Sequence, residues 1–178
     1  MAIDSFLYFD KPSSGPEIVG ESTDAYWKTQ NKKPFELNSY GFGVENIATI
    51  GSKSGGAGAG KANFEVFEIT KSVDKASVKL FESCCMGVHF PSVFLALRRA
   101  GGEAESAKPY LTFAFKFVFL NSVKWSGSGD DPPEESISFA YGALQIDYYK
   151  QSRTGAMENK AITAVWSQVL NAPTAAVE

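Results

Sequence analysis

The segment 110–125 most constrains the fold, because it has the pattern of a long strand with apolar side chains on both faces. The period of two places four phenylalanines on one face: Phe113, Phe115, Phe117 and Phe119. The opposite face also carries apolar residues, namely Ala114, Val118 and Leu120. A sheet with one face in water alternates apolar with polar residues. Both faces of this strand therefore need cover, which a second sheet, a helix or another subunit can supply.

Six further segments have the alternation, or the aromatic and β-branched content, of strands. They are 6–9, 18–22, 35–48, 64–71, 88–99 and 136–151. In the last segment the apolar phase slips by one residue at Gly142-Ala143, which predicts a β-bulge. Helices do not alternate with these strands, so an α/β fold is excluded. The sequence predicts a mainly β fold, an antiparallel β-barrel or sandwich flanked by one α-helix.

That helix is predicted over residues 75–86. Asp74 or Ser77 supplies the N-cap, and Gly87 ends the helix in the position that favours glycine. The apolar spacing predicts a buried stripe of Leu80, Phe81, Cys84 and Val88. The opposite, exposed face is predicted to carry Lys75, Lys79, Glu82, Ser83 and Met86.

The chain has 178 residues, of which 44% are hydrophobic, and this suffices for one domain with a substantial core. We expect a barrel domain over 1–155 and a tail over 156–178 that packs on the barrel or on a neighbouring subunit. Trp166 anchors the tail, whose middle fits a weak helix or a short strand. The mostly polar segment 23–35 is predicted to be a loop. The glycine-rich segment 51–61 is predicted to be a flexible loop.

The charge and the hydropathy of the chain exclude several classes of protein. The net charge is −3 and no long basic run occurs, which argues against nucleic-acid binding. No segment approaches the ~20 apolar residues of a membrane helix, so no membrane insertion is expected. Asp4 and Asp10 flank the first apolar run, and the basic region of a signal peptide is absent. We therefore expect folding in the cytoplasm and, if the protein is exported, a route without a cleaved leader.

Two motifs suggest catalysis, and both are weak. Gly55 to Lys61 has the spacing of a phosphate-binding loop, but Ala62 follows where Ser or Thr would hold magnesium. The chain then enters a predicted strand instead of the required helix. His89, the single histidine, lies in an apolar run, which favours a half-buried structural role over a Ser-His-Asp site.

Metal and redox sites have equally little support. One histidine and the adjacent Cys84 and Cys85 cannot form a zinc site of ordinary spacing. A disulfide between neighbours is strained, so both thiols are predicted to be free and buried. The carboxylates at 130–131 and 134–135 fit a solvated turn. We expect no cofactor, no metal and no enzymatic activity.

An ordered series of short segments resembles the Hcp (haemolysin-coregulated protein) family of type VI secretion. The segments are 1–7, 18–22 (Ile-Val-Gly-Glu-Ser), 39–44 (Ser-Tyr-Gly-Phe-Gly-Val), 67–77, 80–87, 133–135, 141–142 and Trp166. The most recognisable is 67–77, in which Lys71, Asp74 and Ser77 lead into the helix. The resemblance covers nearly the whole chain.

The resemblance implies a β-barrel with a helix that assembles as a homo-hexameric ring, and rings that stack into the inner tube of a contractile machine. It implies spike and sheath proteins as partners, effector proteins in the ring lumen, and secretion despite the missing leader. The loop 51–61 corresponds to a family region that can touch the next ring. This suggests an inter-ring contact through Ser52, Lys53, Gly55, Gly58 and Lys61. An ordinary flexible hairpin fits that loop equally well, and a monomeric ligand-binding barrel or a phage tail-tube protein is the alternative reading of the whole chain.

Overall fold

The computed structural model describes residues 3–46, 48–50, 57–99, 108–150 and 157–178, and gives only the backbone at 48–50 and 57–59. The chain forms twelve strands and two helices in these ranges. The first half contains β1 (Ile3–Phe9), α1 (Ala25–Thr29), β2 (Phe35–Glu36), β3 (Ser39–Gly41), β4 (Val44–Glu45), β5 (Ala48–Ile50), β6 (Ala57–Ala59) and β7 (Asn63–Phe64). The second half contains β8 (Phe67–Ser72), α2 (Lys75–Met86), β9 (His89–Arg99), β10 (Leu111–Ser126), β11 (Glu134–Tyr148) and β12 (Ile162–Ser167).

The main sheet is antiparallel and curls around the core as a half-barrel. Its strand order is β2-β1-β9-β10-β11-β8-β3, and β12 pairs with the second half of β11. Two small ribbons, β4–β7 and β5–β6, stand apart from this sheet. The predicted mainly β, antiparallel fold with the helix α2 is confirmed.

Phenylalanine rings fill the inside of the curled sheet. Phe67, Phe115 and Phe139 are fully buried there, and their centroids lie 4.6–5.2 Å apart. Leu80 of α2 is also fully buried in this core. The alternation in β9, β10 and β11 thus positions one face of each strand for burial.

The outer face of β1 and β9 is covered by α1, which the sequence had suggested to be loop. Trp27 packs on Phe6 with ring centroids 5.6 Å apart, and both side chains are buried. Asp24 caps the helix by accepting hydrogen bonds from the backbone N–H groups of Tyr26 and Trp27. This local capping and the burial of one indole stabilise a helix that is too short to form alone.

The predicted stripe of four phenylalanines is wrong beyond Phe115. Phe117 has a left-handed backbone, with φ 55°, and this shifts the phase of β10 by one residue. Val118 is buried instead, while Phe117 is 43% exposed. Gly142 faces it on β11, where a Cβ would lie 3.1 Å from the Cβ of Phe117. The two strands keep one register on both sides of Phe117 and Gly142, so the β-bulge predicted at Gly142-Ala143 is wrong, and the register between β10 and β11 shifts only at Asn121.

Other local expectations changed as well. The strand predicted over 35–48 is divided among short strands, and 18–22 contains no strand, although Ile18 is buried. The middle of the tail is a strand, β12, and not a helix. The segment 57–59 belongs to the β5–β6 hairpin. Within the described ranges, no helix is long and apolar enough to span a membrane.

Candidate assembly surfaces

A buried ionic cluster joins β8, β11 and the first turn of α2. Lys71 Nζ donates hydrogen bonds to the carbonyl of Ser72 and to Asp74 Oδ1, each at 2.8 Å, and to Ser77 Oγ at 3.0 Å. Its nitrogen also lies 3.1 Å from Glu135 Oε2. These four oxygen atoms replace water around the ammonium group. A charged lysine can be buried only when it has such partners.

The same cluster builds the start of α2. Asp74 accepts a hydrogen bond from the backbone N–H of Ala76, while Ser77 Oγ accepts one from the backbone N–H of Asp74. This reciprocal capping box explains why the helix begins where the sequence predicted. Gly87 ends it with φ 61°. Both helix termini are thus determined by short-range signals.

Glu135 connects the cluster to Trp125, a side chain at the surface. It was expected in a solvated turn but is completely buried, because Lys71 neutralises it and Ser77 Oγ donates a hydrogen bond at 2.7 Å. Its other oxygen accepts a hydrogen bond from Trp125 Nε1 at 2.7 Å. The Trp125 ring is half exposed. A buried carboxylate therefore fixes the orientation of a tryptophan that faces solvent.

Trp125 belongs to an apolar patch with the outer face of α2. Its ring centroid lies 6.0 Å from that of Phe81, and Val78 on the same helix face is 60% exposed. The burial expected for Phe81 is wrong, and Ser83, expected on the exposed face, is buried instead. Cys85 is also exposed, contrary to the prediction of two buried thiols, whereas Cys84 is partly buried.

A second apolar surface is a cleft of about 500 Å³ between the β4–β7 ribbon and the β11–β12 side of the main sheet. Val44 and Phe64 line it from the ribbon, and Leu144, Ile146 and Trp166 line it from the sheet. Trp166 Nε1 is buried without a hydrogen-bond partner in the described part of the chain. The cleft is a hydrophobic recess that the rest of the described chain leaves open.

His89 lies in a third apolar group. Its ring centroid is 4.5 Å from that of Phe117 and 5.1 Å from that of Phe119. Nε2 is buried and has no hydrogen-bond partner among the described residues. A half-buried histidine packed against aromatic rings agrees with a structural role, and its contacts do not form a Ser-His-Asp arrangement.

Of the five residues expected at the contact between rings, only Gly58 and Lys61 lie within the described ranges. Ser52, Lys53 and Gly55 lie outside the described residues. Gly58 pairs with Thr49 in the β5–β6 hairpin, and Lys61 is exposed. The strand β7 follows this segment, so no helix stands where a phosphate-binding loop would require one. In the ranges that are described, no cluster of His, Cys, Asp and Glu could hold a metal ion.

Asp24 and Tyr141 are among the ionisable side chains whose pKa values are shifted. Arg98 donates hydrogen bonds to both oxygens of Asp24, at 2.7 and 3.0 Å, and lowers the pKa of that carboxyl. Burial, with a smaller contribution from Glu65, raises the pKa of Tyr141 to about 12. Neither shift belongs to an arrangement with catalytic partners, because the first reflects an ion pair between α1 and β9 and the second reflects burial of a tyrosine ring.

Comparison with known families settles the ancestry of this fold. A family model described as "Type VI secretion system effector, Hcp" matches residues 6–148. The chain belongs to the Hcp family. This confirms the resemblance found in the short segments, and Lys71, Asp74 and Ser77 of the most recognisable segment are the residues that form the buried cluster. Hcp proteins are structural and not enzymatic, in agreement with the expectation for this chain.

Individual relatives agree with the family assignment. "Protein hcp1" of Pseudomonas aeruginosa is 32% identical over 108 residues, which are 60% of this chain and 65% of that protein. This match therefore spans less than two thirds of the relative's length. A solved "type six secretion system protein" superposes with a TM-score of 0.81 at 31% identity and covers 96% of this chain and 99% of its own. Hcp1 from Salmonella typhimurium superposes with a TM-score of 0.71 at 26% identity, and the match covers 96% of this chain and 98% of the Salmonella chain.

The sequence did not predict that Trp125 and Glu135 belong to the same site as the helix N-terminus. They come from β10 and β11, and only strand pairing brings them together. The signal that could have revealed Glu135 is the lysine at the end of β8, since a buried lysine needs a carboxylate nearby.

Proposed function

We propose that this Hcp family member is a structural subunit of the type VI secretion inner tube, in which six identical copies close into a ring. The observation that carries the proposal is the family match over 6–148, combined with an open sheet edge. In the described residues β11 is the only strand that pairs with β12, whose last residue, Ser167, also forms a single bridge to Ala172. Ile162 at the start of β12 is 69% exposed. Such an edge is a template for another chain.

The geometry favours a head-to-tail contact between copies. A surface that pairs with a different surface of the next copy generates a ring when the rotation closes. The chain carries separate apolar surfaces that suit this arrangement, on α2 with Trp125 and in the cleft beside β12. Large exposed apolar patches are uncommon on proteins that remain monomers.

The finer parts of the role follow from the tube proposal. Rings stack, and the segment 51–61 contributes to the contact between rings through Ser52, Lys53, Gly55, Gly58 and Lys61. Effector proteins are carried in the lumen, and the tube meets spike and sheath proteins at its end and outer wall. The protein is cytoplasmic during assembly and is then secreted with the tube. In this proposal, residues 1–155 are the barrel domain, and 156–178 is a tail whose strand β12 joins the sheet.

Light scattering after size-exclusion chromatography tests ring formation, with negative-stain imaging of the same fractions. We expect a species of about six times the 19.3 kDa mass of one chain, seen as a ring. A compact monomer that persists at millimolar concentration contradicts the proposal.

The cleft favours a second candidate function, a monomeric β module that binds an apolar ligand. A recess of about 500 Å³ lined by aliphatic and aromatic side chains has the size of a small-molecule site. Thermal unfolding with and without fatty acids separates the two functions. A monomer that is stabilised by fatty acid supports the second function, and a ring that is indifferent to fatty acid supports the first.

A further inference from the structure

The outer face of the main sheet has a groove beside α1, separate from the α2 patch and from the cleft beside β12. This outer-face groove has a volume of about 410 Å³. One wall is aromatic and is formed by Tyr8, Trp27 and Phe94. The opposite wall is polar and is formed by Gln145 and Asp147. The volume lies in the range of small-molecule sites in proteins.

The pairing of the strands explains why a hollow forms here. Ala114 of β10 lies directly between Phe94 of β9 and Gln145 of β11. Successive side chains of a strand point to opposite faces, so Ala114 and Thr112 share the outer face of β10. Both line the groove, and both are shorter than the side chains on the neighbouring strands. Short side chains between two rows of longer ones leave a narrow groove over β10.

Lys116 lies at one end of the groove as a cation without a carboxylate partner. Its Nζ donates a hydrogen bond to Ser92 Oγ at 2.8 Å and lies 5.6 Å from the centroid of the Phe94 ring. These contacts are to neutral groups, and among the described residues Lys116 forms no ion pair. The residue is partly buried, so water compensates its charge less fully than at an exposed lysine.

Two other cations on this side of the sheet do have counter-charges. Lys32 Nζ lies 2.9 Å from Asp10 Oδ1. A nitrogen of Arg98 lies 2.7 Å from Asp24 Oδ2. Lys116 differs from both because its positive charge is unmatched within the described chain. An unmatched cation at the end of a cavity favours an anionic ligand.

The carboxylate of Asp147, in the polar wall, is engaged elsewhere. It accepts hydrogen bonds from Gln145 Nε2 and from Thr163 Oγ1. Asp147 is paired across the sheet with Thr112, four residues before Lys116. Four residues correspond to about 13 Å along a strand. The groove thus has a free positive charge at one end and a hydrogen-bonded carboxylate at the other.

The aromatic wall contains a hydrogen-bond donor without a partner. Trp27 is 5% exposed, and its Nε1 is buried with no acceptor in the described part of the chain. Such a donor is normally completed by a group from outside the chain, such as ordered water. Tyr8 and Phe94, which are only partly buried, supply apolar surface beside it. The wall therefore suits a ligand that has both an apolar body and oxygen acceptors.

We propose that the outer-face groove binds a small organic carboxylate with a flat apolar body. The carboxylate pairs with Lys116, and the body lies over Ala114 along the aromatic wall. One unmatched lysine suits the single charge of a carboxylate better than a phosphate, which carries nearly two at neutral pH. The narrow hollow between two rows of longer side chains favours a flat body. The site lies within one chain and does not depend on the proposed ring.

Ligand-observed saturation-transfer NMR with the full chain tests the chemistry of the ligand. Benzoate is the probe, benzamide is its uncharged analogue of the same shape, and acetate has the charge without the ring. We expect saturable benzoate binding with a Kd in the low millimolar range or below, on the order of what so small a ligand achieves. Benzamide and acetate should each bind at least about tenfold more weakly. Equal binding of benzamide and benzoate overturns the recognition of a carboxylate.

Substitutions of lysine test the role of the charge. Lys116→Gln should weaken benzoate binding by about tenfold or more, whereas Lys116→Arg, which keeps the charge, should stay within about threefold of the wild type. Lys124→Gln is the matched control, because Lys124 is exposed on the same strand and lies outside the groove. It should bind benzoate as the wild type does.

Two substitutions of alanine by leucine locate the site. Ala114→Leu fills the outer-face groove and should abolish benzoate binding. Ala164→Leu fills the cleft beside β12 instead and should leave binding unchanged. Loss of binding in Ala164→Leu alone assigns benzoate to that cleft and overturns the proposal. Circular dichroism and thermal unfolding without ligand verify that each variant folds, and the variants of Lys116 decide the question if Ala114→Leu does not fold.

The charge variants also give the decisive outcomes. Loss of benzoate binding in Lys116→Gln, with binding kept in Lys116→Arg and Lys124→Gln, establishes the site. Wild-type affinity in Lys116→Gln overturns it. A folded wild-type protein that shows no saturable binding up to about 10 mM benzoate also overturns it.

Discussion

Lys71 Nζ lies 3.1 Å from Glu135 Oε2, and both side chains are buried. The pair connects the end of β8 to the start of β11, and through Asp74 and Ser77 it also holds the first turn of α2. One ionic cluster thus joins the helix to the sheet. Such a cluster specifies how the elements dock, although replacing it with apolar groups is often neutral for stability.

Removing only the lysine should therefore lower the stability of the folded protein. Lys71→Met leaves Glu135 buried without its counter-charge, and we expect a loss of about 3–5 kcal/mol in the free energy of unfolding. The double variant Lys71→Met with Glu135→Met should recover most of that loss, because no uncompensated charge remains. Urea denaturation of all variants measures the effect. A single variant that loses less than about 1 kcal/mol contradicts the buried pair.

The corrected phase of β10 gives opposite predictions for two phenylalanines. Phe115 is fully buried, so Phe115→Asp should abolish soluble protein because a buried unpaired charge costs several kcal/mol. Phe117 is 43% exposed, so Phe117→Asp should fold and unfold in urea as a single cooperative species. Soluble yield followed by urea titration distinguishes them. Equal loss in both variants would support the single phenylalanine face that the sequence suggested.

Local signals in the sequence determined α2 and the long strands. The bounds of α2 follow from Asp74 and Gly87, which act within one turn of the helix ends. The strands β9, β10 and β11 are long enough that alternation identifies them despite the slip. These elements, and the family resemblance built on the same segments, were predictable for that reason.

Features that depend on distant residues were not predictable. The left-handed backbone of Phe117 accompanies Gly142, which lies opposite only after β10 and β11 pair. The burial of Glu135 depends on Lys71, 64 positions earlier in the chain (135 − 71 = 64). The helix α1 is five residues long and depends on the packing of Trp27 against Phe6. Periodicity within one segment carries no information about such contacts.

The ion pair between Asp24 and Arg98 should make the stability of the protein depend on pH in the acidic range. Asp24→Asn keeps a good N-cap for α1 but removes the charge that Arg98 binds. Because the pKa of Asp24 is lowered in the folded state, its contribution is present above the ordinary value of 3.8 and disappears as pH falls through the folded value. We expect a loss of about 0.5–1 kcal/mol at pH 7, since the pair is partly exposed.

Urea unfolding of the wild type and Asp24→Asn at pH 7 and near pH 3 measures this effect. The two proteins should differ at pH 7, and the difference should become smaller in acid. A difference that stays constant over this range would assign the effect of the substitution to the helix cap instead of the charge.

The glycine-rich segment should contribute to stacking and not to folding. Replacing residues 51–56 with Asn-Gly preserves the pairing of Ile50 with Ala57 and supplies a two-residue hairpin turn. We expect unchanged thermal unfolding and unchanged rings, with fewer and shorter tubes by negative-stain imaging. A Lys61→Ala variant in the full-length loop serves as the milder control. Tubes of normal length after the replacement would remove the segment from the inter-ring contact.

Tyr141 combines a buried ring with an unsatisfied hydroxyl group. Its side chain is 6% exposed, and within the described residues the hydroxyl has no hydrogen-bond partner. Tyr141→Phe should therefore be neutral or stabilising by about 1 kcal/mol at pH 7, because a buried polar group without a partner is removed.

The same substitution should reduce the loss of stability that the protein suffers at alkaline pH. Burial raises the pKa of Tyr141 to about 12, whereas an unfolded tyrosine ionises near 10.0. Between these values only the unfolded chain loses the proton, so the wild type loses stability as pH rises above 10. Tyr8, whose pKa is also about 12, contributes equally in both proteins. Urea unfolding at pH 9 and pH 11 should show a smaller decline for Tyr141→Phe, and parallel declines would show that the hydroxyl reaches water.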